Sequence, residues 1–283
     1  MIIESLCRYY DIISSNPDKE VPQTGYSRVK VAFALILSEN GELLDIADLR
    51  DKNSKGKVEY PCMIVPEQNG RSGNNAPSYF LCDNSKYVLG IDKDMKADIK
   101  KYKTFKEFHI SALKDCQDPF AKAIVNFLNK WDPQVSENNT VVNKIGKEIT
   151  SGNIVFKLDG YTGFAHDREE LKKKAPKKED LKDKFISQCL ITGEESVIPE
   201  IHIKIKGLKG TASESPLISI NSPSTNAYDS YRKTKAYNAP IGQEAVFKYA
   251  TALNYLLSSK SNHTTLGDDT IVYFAESGKN IYS

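Results

Sequence analysis

Nothing in this sequence of 283 residues is spaced like a metal centre, a disulfide framework or a familiar catalytic apparatus. Its five cysteines, Cys7, Cys62, Cys82, Cys116 and Cys189, stand far apart without a CxxC pair. That spacing argues against a zinc ribbon and leaves buried free thiols as the expectation. CLITG at 189–193 looks like half a zinc knuckle, but no second half appears. No run of 18 or more apolar residues occurs, so no membrane-spanning helix is expected. The start MIIESLCRYYDII reads as amphipathic rather than as a signal peptide, which points to the cytoplasm. HExxH, GxSxG and the phosphate-loop pattern GxxxxGKS/T are missing. The four histidines, His109, His166, His202 and His263, are scattered; His109 reads as a satisfied surface or boundary imidazole, and His202 has no nucleophile or carboxylate placed with it. An excess of one charge is lacking too: 39 Lys and Arg stand against 37 Asp and Glu, so any nucleic-acid contact must come from where the charges sit. No enzyme, metal or cofactor is expected on these grounds. The enzymatic alternative is a metal-dependent nuclease using Asp268 or Asp269 with Glu276, although GDD at 267–269 reads more simply as a tight turn.

What is present suffices for a sizeable core. Hydrophobic residues make up 40% and mean hydropathy is −0.47, as in an ordinary globular chain of one large domain or two small ones. Ile3, Leu6, Cys7, Tyr10 and Ile13 recur at helical spacing, and Ser14 to Pro17 end that helix. VKVAFALILS and ELLDIADLR flank Asn40-Gly41, a strong hairpin signal, and KVEYPCMIV adds a third strand. Ile99, Tyr102, Phe105, Phe108 and Ala112 form one stripe of a helix within 96–116. Asp118 caps the next, with Pro119 in its first turn and Phe120, Ile124, Val125, Leu128 and Trp131 inward. The polar stretch 133–150 is placed as a seam between a subdomain at 1–135 and another at 150–283. Beyond it GNIVFKLDG reads as a strand and DREELKKKAPKKEDLKDKF as a charged helix broken near Pro176. Ala245, Val246, Tyr249, Ala250, Leu253 and Leu256 mark a final helix, and TIVYFAES a closing strand. The fold class that follows is α+β, a mostly antiparallel sheet with helices packed on one side.

Three segments carry binding chemistry. In 69–92, Gly70 and Gly73 free the backbone, while Asn69, Ser72, Asn74 and Asn75 offer uncharged donors and acceptors suited to base edges. Arg71 fits a phosphate or minor-groove edge, Lys86 fits DNA backbone, and Tyr79, Phe80, Leu81, Tyr87 and Leu89 are expected to anchor the loop; a solvated turn fits the same letters. In EIHIKIKGLKG at 200–210, strand alternation would bury Ile201, Ile203 and Ile205 and display His202, Lys204 and Lys206, with Lys209 adding a cation. Same-face residues then lie roughly 6 to 7 Å apart, comparable to phosphate spacing. A lysine-guarded edge strand has the same pattern. In 217–240, Tyr231, Arg232, Tyr237 and Asn238 interleave rings with polar groups and can stack on RNA bases, or simply cover a core edge. The lysines at 172–174, 177 and 178 are diluted by Glu169, Glu170, Glu179, Asp180 and Asp183 and read as a solvated face.

The blocks VPQTGYSRVKVAFALILSENGELLDIADLR, the 71–92 stretch, CLITGE, IHIKIKGLKG, LISIN and NAPIGQEAVFKYATALNYLL together resemble the large subunit of the type I-C CRISPR surveillance complex, Cascade. The resemblance implies a non-catalytic role in antiviral defence. Such subunits contact the Cascade backbone subunits and the CRISPR RNA 5′ handle, and help detect the protospacer-adjacent motif in double-stranded target DNA. Cleavage belongs to a recruited helicase-nuclease, and sequence reading to the guide. Family members continue past the point where this chain stops, into a helical region equivalent to the small subunit, so holding the displaced strand is not expected here. A free-standing RNA- or DNA-binding domain is the alternative within the binding class.

Overall fold

The computed structural model describes residues 2–16, 18–54, 56–68, 77–134, 139–175, 185–208, 215–219 and 235–275. Contacts gather Met1–Thr24 with Glu179–Ser283 into one unit and Gly25–Lys178 into another. The first unit begins with α1 (Ile2–Ser14), whose helical spacing buries Leu6, Tyr9, Tyr10 and Ile13 on one side.

The second unit is built on β1 (Tyr26–Leu37). From Val31 to Leu37 every residue is apolar, a run suited to a strand covered on both faces. Its C-terminal half pairs antiparallel with β2 (Leu43–Asp48) across the Asn40-Gly41 turn. A short hairpin of β3 (Asp51–Lys52) and β4 (Val58–Glu59) follows, and β5 (Cys62–Pro66) then pairs antiparallel with the first half of β1. Next come β6 (Asp83–Asn84), α2 (Ser85–Val88), α3 (Ile99–Leu113), α4 (Pro119–Lys130) and α5 (Thr140–Ile145). The Asp118 side chain caps α4 by accepting the Phe120 N–H, with Pro119 at the first turn. β7 (Asn153–Leu158) then runs parallel to β1, giving the order β2-β1-β7-β6 with β5 alongside β1. The stretch 133–150, a seam in the sequence reading, lies inside this unit.

The sheet's two faces differ. Phe33, Leu35, Leu37 and Phe156 meet Tyr102 and Phe105 of α3, Ile124 and Phe127 of α4 and Val142 of α5, forming the main core. Val29, Val31, Ala34, Val65 and Val155 make a smaller cluster behind. Helices therefore cover one side of a mostly antiparallel sheet. Gly41 sits at φ 78° against α4, where a Cβ would lie 2.4 Å from the Phe127 nitrogen, so no larger residue fits that turn. A short α6 (Glu169–Lys172) ends the unit's described part, with Lys172 and the following Lys173 ion-paired to Glu169 and Glu170.

Returning to the first unit, β8 (Ile186–Gln188) and β9 (Glu195–Val197) form a hairpin that Cys189 to Glu194 closes. CLITGE is thus a hairpin turn. Cys189 Sγ accepts N–H groups from Gly242 at 3.1 Å and Ile191 at 3.4 Å. Burial pushes this thiol's pKa up, but the donated N–H groups outweigh it and hold the thiol below its ordinary value. β10 (Lys204–Ile205) pairs with β11 (Ser215–Pro216). α7 (Gln243–Ser258) buries Tyr249, Ala250 and Leu256 in one cluster with the α1 face. β12 (His263–Leu266) and β13 (Asp269–Val272) form the last hairpin, and GDD is its tight turn, with Gly267 at φ 63°. Among the described residues no helix is long and apolar enough to cross a membrane.

Candidate nucleic-acid interface

In the first unit the basic segment differs from the alternating strand expected of it. Only Lys204–Ile205 is extended and paired. Ahead of it Ile201 is 49% exposed while His202 is buried, so the expected orientation of that pair is reversed. The cause is Tyr249 on α7, whose hydroxyl lies 2.8 Å from His202 Nδ1 and draws the ring inward. Burial lowers the His202 pKa to about 4, so the ring is neutral near pH 7. Its Nε2 has no hydrogen-bond partner among the described residues, and His202 helps line a cavity of about 30 Å³ together with Glu200, Ser219 and Ala236. From Lys204 onward the expected pattern holds: Ile205 is buried, and Lys204 and Lys206 are exposed.

Asn254 fixes that segment. Its Nδ2 donates to Lys204 O at 3.0 Å and its Oδ1 accepts the Lys206 N–H at 2.8 Å, imitating a neighbouring strand. Two cations of one face are therefore carried on a backbone clamped at both positions. Sequence reasoning missed Asn254, because a lone polar residue on a helix face gives no sign that it reaches a distant backbone.

In the second unit the flanks of 69–76 are tied together. Gln68 donates its N–H to Ser27 Oγ at 2.9 Å and its Nε2 to Cys82 O at 2.7 Å, and Glu67 N–H bonds Gly25 O. On the far flank Leu81 adopts φ 59°, an uncommon conformation for a residue with a branched side chain. His109 holds it there: Nε2 accepts the Leu81 N–H at 2.9 Å, and Nδ1 donates to Phe105 O at 2.8 Å. The ring is fully buried between Phe80 and Phe105, and burial pushes its pKa down to about 4. The expectation of a surface or boundary imidazole at His109 is thereby corrected. Asp83 accepts the N–H groups of Tyr79 and Asn84, and Asn84 caps α2, which carries half-buried Lys86 near Asp92.

Of the other expected contacts, Tyr237 lies in a short 3-10 turn with one ring face against Phe185, centroids 4.6 Å apart, and Asn238 is half-buried beside it. Arg71, Ser72, Asn74, Asn75, Lys209, Tyr231 and Arg232 lie outside the described residues, as does Glu276. Within the described residues no three His, Cys, Asp or Glu side chains gather as a metal centre requires.

The family model described as CRISPR-associated protein (Cas_Csd1) matches residues 6–283, and the chain belongs to that family. No curated protein matches it.

Proposed function

We propose that this member of the Cas_Csd1 family is the large subunit of a type I-C Cascade, inspecting the protospacer-adjacent motif of double-stranded DNA without catalysing a reaction itself. The observation that carries the reading is the family match over 6–283, in a chain whose dispersed blocks resemble that subunit. Its partners are the backbone subunits, the CRISPR RNA 5′ handle, target DNA and a recruited helicase-nuclease.

The physical support is a division of labour. Reading base edges needs small hydrogen-bonding groups presented from a fixed base, and the Gln68–Cys82 and His109–Leu81 bonds supply that base on either side of 69–76. Asn74 and Asn75 read base edges, with Ser72 beside them, while Arg71 and Lys86 hold phosphate. Lys204, Lys206 and Lys209 follow a second stretch of backbone, and Tyr231, Arg232, Tyr237 and Asn238 contact the RNA handle. A few amide bonds discriminate by about 1 to 3 kcal/mol, enough for a reader that must sample many duplexes and leave quickly.

The test is Asn74→Ala with Asn75→Ala in the assembled complex. Binding to motif-bearing duplex weakens, while guide loading and single-stranded target binding stay unchanged. An unaltered affinity ratio between motif-bearing and motif-less duplexes places the reader elsewhere. The non-catalytic part is checked by incubating the chain with labelled DNA and RNA plus magnesium or manganese; cutting abolished by Asp268→Ala or Asp269→Ala overturns it.

A further inference from the structure

His202 is 2% exposed, and the cavity it helps line has Glu200, Ile201, Pro216, Ile218, Ser219 and Ala236 as its other walls. Glu200, Ile201 and Ser219 are exposed, so the cavity has a solvent-facing rim above a buried imidazole. Nδ1 is taken by the Tyr249 hydroxyl at 2.8 Å, and Tyr249 is itself fully buried on α7, so that edge of the ring is turned toward the core. Nε2 has no hydrogen bond among the described residues. A neutral imidazole keeps one donor and one acceptor nitrogen, and leaving a buried one unmet is costly enough that native structures seldom do so.

Size, charge and hydrogen bonding each limit what the cavity takes. About 30 Å³ has room for roughly one or two non-hydrogen atoms and none for a base. The ring is neutral and Glu200 stands on the rim, a combination that disfavours a phosphate oxygen. A hydroxyl donates and accepts, so it satisfies Nε2 whichever way the proton lies between Nδ1 and Tyr249. Ile201, Pro216, Ile218 and Ala236 give the carbon that bears it an apolar wall. Two exposed cations follow on the same segment, Lys204 two residues on and Lys206 four, and alternate residues of extended chain lie roughly 6 to 7 Å apart, comparable to phosphate spacing.

We infer that Nε2 opens on this cavity and that the cavity receives a ribose 2′-hydroxyl, so the strand carried by Lys204 and Lys206 is RNA. The 2′-hydroxyl is the group by which a protein tells RNA from DNA at a given site. A Ser or Thr hydroxyl of a partner protein has the same size, but the lysines beside the cavity favour a polyanion. The inference rests on the proposed nucleic-acid role and is independent of the motif assignment.

Binding of the full chain to oligouridine, to its 2′-deoxy form and to its 2′-O-methyl form, at one length and low salt, is measured by fluorescence anisotropy. Oligouridine binds more tightly than either analogue by roughly 2- to 12-fold, the range that one net hydrogen bond provides. His202→Asn keeps an amide toward Tyr249 but has no counterpart of Nε2. It binds the three probes alike, with the salt slope of the unaltered chain, because no charge has been removed. Ser219→Val narrows the cavity without touching the bond to Tyr249 and has the same effect, and circular dichroism checks that both variants fold. Equal binding of the three probes by the unaltered chain overturns the inference and leaves the nucleic-acid role standing; it is also the result if the cavity seats a Ser or Thr side chain. A preference for oligouridine that survives in the folded variants overturns the inference as well. Absence of binding to every probe overturns it together with the nucleic-acid role, a distinct result.

Discussion

Replacing His109 by phenylalanine separates the imidazole's hydrogen bond from its bulk. The ring is fully buried, with its pKa lowered by burial from the ordinary 6.5 to about 4. Above pH 6.5 both folded and unfolded chains hold it neutral, and its full contribution to stability is present. As pH falls toward 4 the unfolded chain takes up a proton that the folded chain refuses, so stability is lost through that window. At about 1.36 kcal/mol per pKa unit, going from near pH 7.5 to near pH 4.5 removes roughly 2 to 3 kcal/mol through this residue alone. His109→Phe fills the space between Phe80 and Phe105 but leaves the buried Leu81 N–H without its acceptor, which costs about 1 to 3 kcal/mol. The variant is therefore less stable than the unaltered chain at about pH 7.5, and the gap closes or reverses at about pH 4.5. Carboxylates that titrate in the same range do so in both proteins and cancel in the difference. Trp131, the single tryptophan, lies in the same unit, where its Nε1 donates to Leu89 O, so its fluorescence in denaturant titrations follows that unit. A stability gap of the same size at both pH values refutes the account of His109.

Asn254→Ala removes both bonds that clamp the β10 segment. The Lys206 amide then exchanges with solvent faster, by roughly the factor that a net hydrogen bond of about 1 kcal/mol provides, while helix amides at the centre of α7 keep their protection. Hydrogen exchange read by mass spectrometry checks this, and unchanged exchange at Lys206 contradicts it. Gly41→Ala forces a Cβ to 2.4 Å from the Phe127 nitrogen at φ 78°, and it lowers stability by at least about 2 kcal/mol in thermal or urea unfolding. An unchanged midpoint shows that the turn has room.

What could be read from the sequence was whatever repeats locally. α1, α3, α4 and α7 follow from apolar spacing, and the β1–β2 hairpin follows from Asn40-Gly41, because neighbours in sequence decide those elements. The parallel pairing of β1 with β7 was hidden, since no local pattern announces a partner that arrives only after a series of helices. His109 shows a different failure. The stripe Tyr102, Phe105, His109, Leu113 carries it to the core face, yet an imidazole's usual preference for the boundary was given more weight than the spacing. His202 was turned outward by assuming a strand from 201 to 206, whereas pairing covers only 204–205 and a hydroxyl from α7 claims the ring. Residues chosen for chemistry fared according to how local that chemistry was. Lys204 and Lys206 are exposed as alternation requires, while Asn254, which holds them, is visible only in three dimensions.

The central claim is tested most directly by assembling the type I-C backbone subunits and CRISPR RNA with and without this chain, then measuring affinity for duplexes that carry or lack the motif. The complex containing the chain is expected to favour the motif-bearing duplex by about 1 to 3 kcal/mol, roughly 5- to 150-fold, and the complex without it to show no preference. Failure of the chain to join the complex, or equal preference with and without it, contradicts the account.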